Sequence, residues 1–237
     1  RYLAAAGLDA ATAAARAAAD PRYREGCVRP PRKIGRRLAL FDCLSCDKCL
    51  PACPNDANFV YETEPVARDY ESYRVAAGRA VPVKGGRFEV RERRQFASFQ
   101  DFCNDCGNCD TFCPEDGGPY LEKPRLFGSL EAWETGAPRD GFHVRPGVDV
   151  DRAWARLAGV VYRLEVDRGL DRALFSDGRV TLELRHRERT PVGAAVASSA
   201  PEGHVLDVGA YLRMAAVIDG VLDPRHVNPV NAAVATP

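Results

Sequence analysis

The chain of 237 residues lacks the sequence features of several common protein classes. It contains no run of about eighteen apolar residues, so no membrane span is predicted. It begins at Arg1, and no basic region followed by an apolar one is visible, so no signal peptide is expected. This start, followed by an alanine-rich stretch, suggests a fragment of a longer polypeptide. The net charge is zero, which argues against nucleic acid as a partner.

Catalytic and nucleotide-binding motifs are also missing. The sequence has no glycine-rich dinucleotide fingerprint, no P-loop and no nucleophile elbow. Its histidines lie far apart, without the spacing of metal ligands. They are His143, His186, His204 and His226. We therefore expect no substrate-converting site in this chain.

Cysteine is absent from residues 114–237, and eight of the nine cysteines fall in two short segments. A secreted disulfide scaffold would spread its cysteines, whereas clustering at two-residue intervals is typical of metal thiolates. Metal thiolates imply a reducing compartment, so a cytoplasmic protein is predicted. The ninth cysteine, Cys27, is interpreted as an incidental or buried side chain. The alternatives for Cys27 are a third metal centre and a redox thiol.

Both cysteine segments, "CLSCDKCLPACP" and "CNDCGNCDTFCP", read C-x2-C-x2-C-x3-C-P. This is the bacterial-type ligand run of a [4Fe–4S] cluster. Three thiolates two residues apart wrap one corner of the cluster, and the fourth lies too far along to close the same cube. In two-cluster proteins the fourth cysteine binds the other cluster. The expected ligands are Cys43, Cys46, Cys49 and Cys113 for the first cluster, and Cys103, Cys106, Cys109 and Cys53 for the second.

Zinc is the alternative occupant, because cysteines two residues apart also bind structural zinc. Such sites use two separated pairs, a pattern that neither segment has. Pro54 and Pro114 are expected to turn the chain away from the metal, and Gly107 to let the backbone approach it. Four apolar neighbours are expected to exclude water: Leu44, Leu50, Phe102 and Phe112.

Charge is distributed unevenly along the chain. Residues 1–40 carry nine Lys or Arg against three acids, whereas residues 95–122 carry six acids and no base. Because carboxylates oppose the reduction of an anionic cluster, the second cluster is expected to have the lower potential. The alternative is that these charges are exposed and screened by salt.

The first half of the chain also contains secondary-structure signals. Residues 9–20 favour a helix, and residues 37–42 favour a short strand leading into the first motif. A strand is predicted at 58–62. Within an insertion at 63–99, "VPVKGGRFEV" predicts a hairpin that turns at Gly85-Gly86.

The second half of the chain has a different pattern. Residues 117–141 are rich in turn formers and are expected to form an extended wrap. "RALFSDGRVTLELR" predicts a hairpin with Asp177-Gly178 at its turn. A final helix is expected at 208–222, capped by Asp207, with one apolar stripe.

These signals predict an α+β fold in three parts. Residues 1–35 are a helical connector from a missing upstream region. Residues 36–135 are a bacterial ferredoxin-like two-[4Fe–4S] domain with a β-hairpin insertion, and residues 136–237 are a small α+β C-terminal unit. The predicted function is electron transfer through two [4Fe–4S] clusters. A zinc-binding, cysteine-rich interaction module is the alternative.

The cysteine motifs and their flanks, "LFDCLSCDKCLPACPNDANF" and "DFCNDCGNCDTFCPEDGGPYLEKPRLFGSLEAW", also carry a family resemblance. They resemble the C-terminal iron–sulfur region of selenate reductase-type iron–sulfur subunits. Those flavoproteins are related to the glutamate synthase small subunit and to dihydropyrimidine dehydrogenase. The resemblance covers residues 36–134 and is carried by "CPNDANF" and "FCNDCGNC".

The resemblance implies a larger electron-transfer protein. FAD and NAD(P)H would be bound by upstream flavin domains of the same polypeptide. Electrons would pass between the flavin, the clusters and a partner, for which a molybdenum-type oxidoreductase subunit is the candidate. Of the functional residues of that family, only the eight cysteines have counterparts in this chain.

Overall fold

The computed structural model describes residues 32–232 and, ahead of them, positions 12, 15, 16 and 18–20. Of these early positions, 12, 15, 16, 18 and 19 are helical, in agreement with the helix predicted over 9–20. Cys27 lies outside the described residues. In the described part of the chain, no helix is both long and apolar enough to cross a membrane.

Strands dominate the described residues, and most helices are short. The fold is therefore of mixed α+β type, as predicted. The strands are β1 (Asn58–Glu62), β2 (Val66–Ala76), β3 (Arg79–Val90), β4 (Arg94–Phe99), β5 (Arg125–Phe127), β6 (Gly141–Arg145), β7 (Val150–Leu157), β8 (Val160–Asp167), β9 (Arg172–Ser176), β10 (Val180–Arg185), β11 (Thr190–Val196) and β12 (Val205–Leu206). The helices within residues 32–232 are α1 (Cys49–Ala52), α2 (Asn108–Phe112), α3 (Pro119–Glu122), α4 (Leu130–Thr135) and α5 (Val208–Val221).

Nine strands form one sheet, in the order β1-β4-β5-β6-β7-β8-β9-β10-β11, and a smaller sheet has the order β12-β2-β3. Pairing in the large sheet is antiparallel, except that β5 runs parallel to both β4 and β6. The sheet that begins at β1 thus continues into the C-terminal strands. The division of the chain at residue 135 stays a prediction.

The pairing of β1 with β4 brings the two cysteine motifs to the same end of the sheet. β1 begins just after the first motif, and β4 ends just before the second. The strands are antiparallel, with Asn58 opposite Ser98 and Phe59 opposite Ala97. The start of one strand therefore lies beside the end of the other, and both cysteine loops leave the sheet together.

Helix α5 lies in the core between the two sheets. Twelve of its fourteen residues are buried, and it packs on β1, β7 and β8 of the large sheet and on β2 and β3 of the small one. It begins as predicted, with the side chain of Asp207 accepting a hydrogen bond of 2.8 Å from the amide of Gly209. We expected one apolar stripe along this helix. Because the two sheets cover the helix from both sides, nearly its whole circumference is buried.

The turn of the β2–β3 hairpin lies at Ala77 and Gly78, and its predicted position at Gly85 and Gly86 was wrong. Ala77 and Gly78 have left-handed φ values of 50° and 72°, which suit a two-residue hairpin turn. Gly85 lies within β3, where the register shifts opposite Tyr70. A Cβ on Gly85 would collide with the carbonyl oxygen of Tyr70. The glycines therefore make room at a β-bulge.

The strand predicted at residues 37–42 does not form. Arg37 makes an isolated parallel bridge with Asp116, and the chain then bends. In this stretch the amide of Leu38 donates a hydrogen bond to the carbonyl oxygen of Asp116. The amide of Asp116 in turn donates to the carbonyl oxygen of Arg36.

The segment 117–141, expected to be an extended wrap, contains α3, β5 and α4 instead. Ser129 starts α4, because its hydroxyl accepts a hydrogen bond of 3.0 Å from the amide of Ala132. The hairpin predicted with Asp177 and Gly178 at its turn is present between β9 and β10. The carboxylate of Asp177 accepts hydrogen bonds from the amides of Arg179 and Val180 and closes this turn.

Candidate metal centres

The two cysteine loops have the same backbone conformation at equivalent positions. Between their first and third cysteines, Ser45 and Asp47 have φ values of 47° and 61° in the first loop, and Asp105 and Gly107 have 55° and 75° in the second. Left-handed residues alternating with right-handed ones turn successive N–H groups toward a common centre and create an anion-binding concavity. The repeated spacing is therefore matched by a repeated local structure.

The left-handed φ angle at position 107 favours glycine. No other atom of the described residues comes close enough to exclude a side chain there. A Cβ on Gly107 would meet no atom within 4 Å. The equivalent residue of the first loop is Asp47, which adopts the same left-handed conformation with a side chain. Glycine and aspartate both tolerate this region of the backbone map.

The last cysteine of each motif lies at the end of a short helix. Cys53 and Cys113 follow α1 and α2, and both have extended backbone with ψ of 114° and 130°. The helices α1 and α2 pack against each other. Each fourth cysteine is thereby carried toward the other motif.

The eight predicted ligands gather in two sets around two cavities. The first cavity is lined by Cys43, Cys46, Cys49 and Cys113. The second is lined by Cys53, Cys103, Cys106 and Cys109. Each cavity thus receives three cysteines from one motif and the last cysteine of the other. All eight are free thiols.

Backbone amides donate hydrogen bonds to several of the sulfurs. The amide of Ser45 lies 3.4 Å from Cys43 Sγ, and that of Ala57 lies 3.2 Å from Cys53 Sγ. Backbone groups of Asp105, Tyr120 and Glu115 also lower the pKa of Cys103, Cys109 and Cys113 and so oppose the effect of burial. Such N–H···S bonds stabilise negative sulfur and are a means of setting cluster potentials.

Burial and crowding oppose ionisation of the thiols. Burial, with further contributions from Cys43 and Cys109, raises the pKa of Cys49 to about 12. Burial also raises the pKa of Cys103, Cys109 and Cys113. Thiolates gathered in this way need a cationic partner, and iron–sulfur clusters are bound by four cysteine thiolates. The donor sets therefore fit such clusters.

A single zinc ion would draw four sulfurs to about 2.3 Å from one point, whereas a tetranuclear cluster keeps its thiolates further apart. Within residues 32–232 and the few described positions ahead of them, no three Cys, His, Asp or Glu side chains are arranged to bind one metal ion.

A basic segment, residues 32–38, lies along the second motif. Lys33 Nζ lies 2.9 Å from a carboxylate oxygen of Asp110, and Arg36 Nε lies 2.8 Å from Glu115 Oε1. The opposite charges of the N-terminal and central segments are therefore partners. We expected these acids to lower the potential of the second cluster. Because Asp110 and Glu115 are paired with bases, their negative charges are largely offset, and this expectation is weakened. Sequence patterning showed both charge runs and could not show that they meet.

Two buried charged residues beside the first cavity were missed by sequence reasoning. Lys123 is 3% exposed and Glu115 is 1% exposed, and both line the cavity. Lys123 Nζ has no hydrogen-bond partner among the described residues. Burial lowers the pKa of Lys123, while the nearby thiol of Cys43 and the carboxylate of Glu115 counteract the shift.

The apolar neighbours predicted to exclude water do so only in part. Leu44, Phe102 and Phe112 are 46%, 47% and 48% exposed, so about half of each side chain faces solvent. The apolar lining of the first cavity comes from Leu44 together with three residues outside the motif: Leu38, Phe96 and Pro119.

Comparison with known proteins agrees with this geometry. Residues 39–116 match the 4Fe-4S dicluster domain. Iron–sulfur binding and electron transfer are thus supported for this region. Curated relatives include "Putative oxidoreductase YgfK" of Escherichia coli K12 and of E. coli O157:H7, each 30% identical over 89 residues. The alignment covers 38% of this chain and only 6% of the length of those relatives. No solved structure matches.

Proposed function

We propose that the chain is the electron-transfer module of a larger oxidoreductase that uses a flavin and NAD(P)H. Residues 36–135 form a bacterial ferredoxin-like domain with two [4Fe–4S] clusters and a β-hairpin insertion. The first cluster is held by Cys43, Cys46, Cys49 and Cys113, and the second by Cys103, Cys106, Cys109 and Cys53. The observation that carries the proposal is the crosswise lining of the two cavities by these cysteines.

A bound [4Fe–4S] cluster supplies one-electron transfer, and the chain's residues bind and shield it. The amides of Ser45 and Ala57 donate to thiolate sulfur and stabilise its charge. Leu38 and Phe96 cover the inner side of the first cavity and limit the access of water. The packing of α1 on α2 holds the two sites close together, as electron relay requires.

The wider setting is part of the proposal. The resemblance of the cysteine region to flavoprotein subunits supports FAD and NAD(P)H sites in upstream domains of the same polypeptide. A relative named as an oxidoreductase, matched over 6% of its length, supports a large parent protein. A molybdenum-type oxidoreductase subunit is the proposed electron-transfer partner, and the cytoplasm is the proposed compartment because thiolate clusters need reducing conditions.

The proposal is tested by purifying the chain without oxygen and measuring iron, acid-labile sulfide and zinc. We expect equal amounts of iron and sulfide, brown colour, and a paramagnetic signal after reduction with dithionite. Colourless protein with stoichiometric zinc would overturn the proposal in favour of a zinc-binding interaction module. Serine variants at all four cysteines of one cavity provide the matched control, because they should remove one cluster's iron and leave the other.

The flavin setting has its own test. The chain has no dinucleotide fingerprint, so NAD(P)H alone should leave its clusters oxidised. Addition of the upstream flavin region of the same polypeptide should make NAD(P)H an effective reductant. Reduction by NAD(P)H in the absence of that region would contradict the assignment of the nucleotide site.

A further inference from the structure

We propose that Lys123 supplies the positive charge facing the first cluster and thereby holds its reduction potential above that of the second. This inference rests on the proposed function, because it concerns a cluster bound by the first set of cysteines. In this proposal a residue outside both cysteine motifs sets which of the two clusters is reduced first.

Lys123 is buried beside the first cavity. Its side chain is 3% exposed, and its Nζ atom has no hydrogen-bond partner among the described residues. A buried ammonium without a partner is strongly unfavourable, so such groups are retained where an anion meets them. Lys123 lines the cavity of Cys43, Cys46, Cys49 and Cys113. An anionic cluster bound by these thiolates is the partner that the ammonium lacks.

The other charged residues of the first cavity already have partners. Glu115 is paired with Arg36 at 2.8 Å and accepts a hydrogen bond of 3.2 Å from the amide of Leu44. Asp47 is paired with Arg94. Among the described side chains that line this cavity, Lys123 is therefore the cation, and its Nζ is hydrogen-bonded to no carboxylate, although Glu115 and Asp42 lie close enough to act on its charge.

The second cavity has no equivalent charge. Besides its four cysteines it is lined by Asn58, Asn104 and Tyr120, with Ala57 and Gly107, and none of these is charged. A cation close to an anionic cluster favours the reduced state, and the effect is large where water is excluded. The two clusters should consequently differ in potential, with the first one higher.

Helix α3 produces this difference. Tyr120, in α3, lines the second cavity, and Lys123, at the C-cap of the same helix, lines the first. The amide of Lys123 donates a hydrogen bond of 3.1 Å to the carbonyl of Pro119, which fixes the point where the side chain leaves the backbone. One short helix therefore presents a neutral ring to one cluster and an ammonium to the other.

The test is an anaerobic potentiometric titration, followed by electron paramagnetic resonance, of the cluster-loaded chain and its Lys123→Met variant. We expect the ratio of reduced to oxidised first cluster at a fixed potential to fall about tenfold, which is about 59 mV for a one-electron couple. The second cluster should keep its potential. Lys123→Arg, which keeps the charge, should stay close to the unmodified chain.

The matched control is Lys48→Met. Lys48 is exposed and adjacent to Cys49, so its charge is screened by solvent and its removal should shift the first cluster much less. The Cys113→Ser variant assigns the resonance signals, because it should lose the first cluster.

Iron and sulfide are measured in every sample, so that the two proposals fail separately. Absence of both from the unmodified chain would refute the cluster proposal itself. Intact clusters with an unchanged first potential in Lys123→Met, or equal shifts of both clusters, would refute only the role of Lys123. If Lys123→Met fails to load the first cluster, Lys123→Gln provides the same neutral comparison. Failure of both neutral variants to load, with Lys123→Arg loaded, would show a structural role and overturn the inference.

Discussion

Arg36 Nε lies 2.8 Å from Glu115 Oε1 and joins the segment before the first cysteine motif to the segment after the second. The other carboxylate oxygen of Glu115 accepts a hydrogen bond from the amide of Leu44, within the first motif. One buried carboxylate therefore fastens three parts of the chain around the first cavity. Its removal should loosen the loop that carries Cys43 and Cys46.

Glu115→Gln is expected to lower the free energy of unfolding by about 1–3 kcal/mol, because it breaks a buried charge-assisted contact whose arginine is half exposed. Urea unfolding of the cluster-loaded chain measures this change. The control is Glu122→Gln, which removes an ion pair with Arg37, a residue that is 80% exposed. Its effect should stay within about 0.5 kcal/mol. Equal effects of the two variants would contradict the role given to Glu115.

The proposed crosswise ligation predicts reciprocal effects of two serine variants. Cys53→Ser should damage the second cluster, because Cys53 lines the cavity of Cys103, Cys106 and Cys109. Cys113→Ser should damage the first cluster for the same reason. Iron content and the resonance signal of each cluster measure the outcome. Damage confined to the cluster of the variant's own motif would show that the ligand sets are not exchanged.

The β-bulge in β3 predicts a steric penalty. Gly85→Ala should destabilise the chain by about 1–3 kcal/mol, because the new Cβ would collide with the backbone and ring of Tyr70. Gly193→Ala, in β11, is the control, since its Cβ would meet only the Cβ of Glu183 at 3.8 Å. Thermal unfolding of both variants measures the difference. A Gly85→Ala variant as stable as Gly193→Ala would show that the bulge relaxes at little cost.

Asp219, on helix α5, predicts a pH-dependent contribution to stability. Burial alone would raise the pKa of Asp219, but the hydrogen bond from His186 and the charge of Arg189 lower it well below its usual range. A lowered folded-state pKa stabilises the fold above the unfolded-state value, which is about 3.9 for aspartate. This contribution is lost as the pH falls through that value toward the folded pKa.

Asp219→Asn should therefore cost about 2–3 kcal/mol at pH 7, and the difference from the unmodified chain should shrink below about pH 4. Urea unfolding of both proteins across this range measures the difference, and acid loss of clusters is common to both. Asp69→Asn, at a position 81% exposed, serves as control and should have little effect at any pH. A constant penalty for Asp219→Asn down to pH 3 would contradict the lowered pKa.

Local sequence signals predicted the local structure well. The cysteine spacing indicated two equivalent loops, and Ser45 and Asp105 indeed share a left-handed backbone. The Asp177-Gly178 turn and the start of α5 at Asp207 were also found, because turn and cap residues act on their immediate neighbours.

Features that depend on distant partners were not predicted. Gly85 resembles a turn residue in sequence, and only the position of Tyr70 across the hairpin shows that it forms a bulge. Lys123 follows a short helix in a polar segment, and nothing in its neighbourhood signals burial. Its surroundings are created by cysteines from both motifs, which the pairing of β1 with β4 brings together.

Gly220 of helix α5 lies against the ring of Tyr61 in β1, so closely that a Cβ at this position would collide with the ring. Tyr61 is fully buried, and β1 leads directly out of the first cysteine loop. A larger residue at position 220 would displace Tyr61, and because β1 leads out of the first cysteine loop, the displacement would be transmitted to that loop. Substitutions that abolish electron transfer should therefore be found in helix α5 as well as at the cysteines.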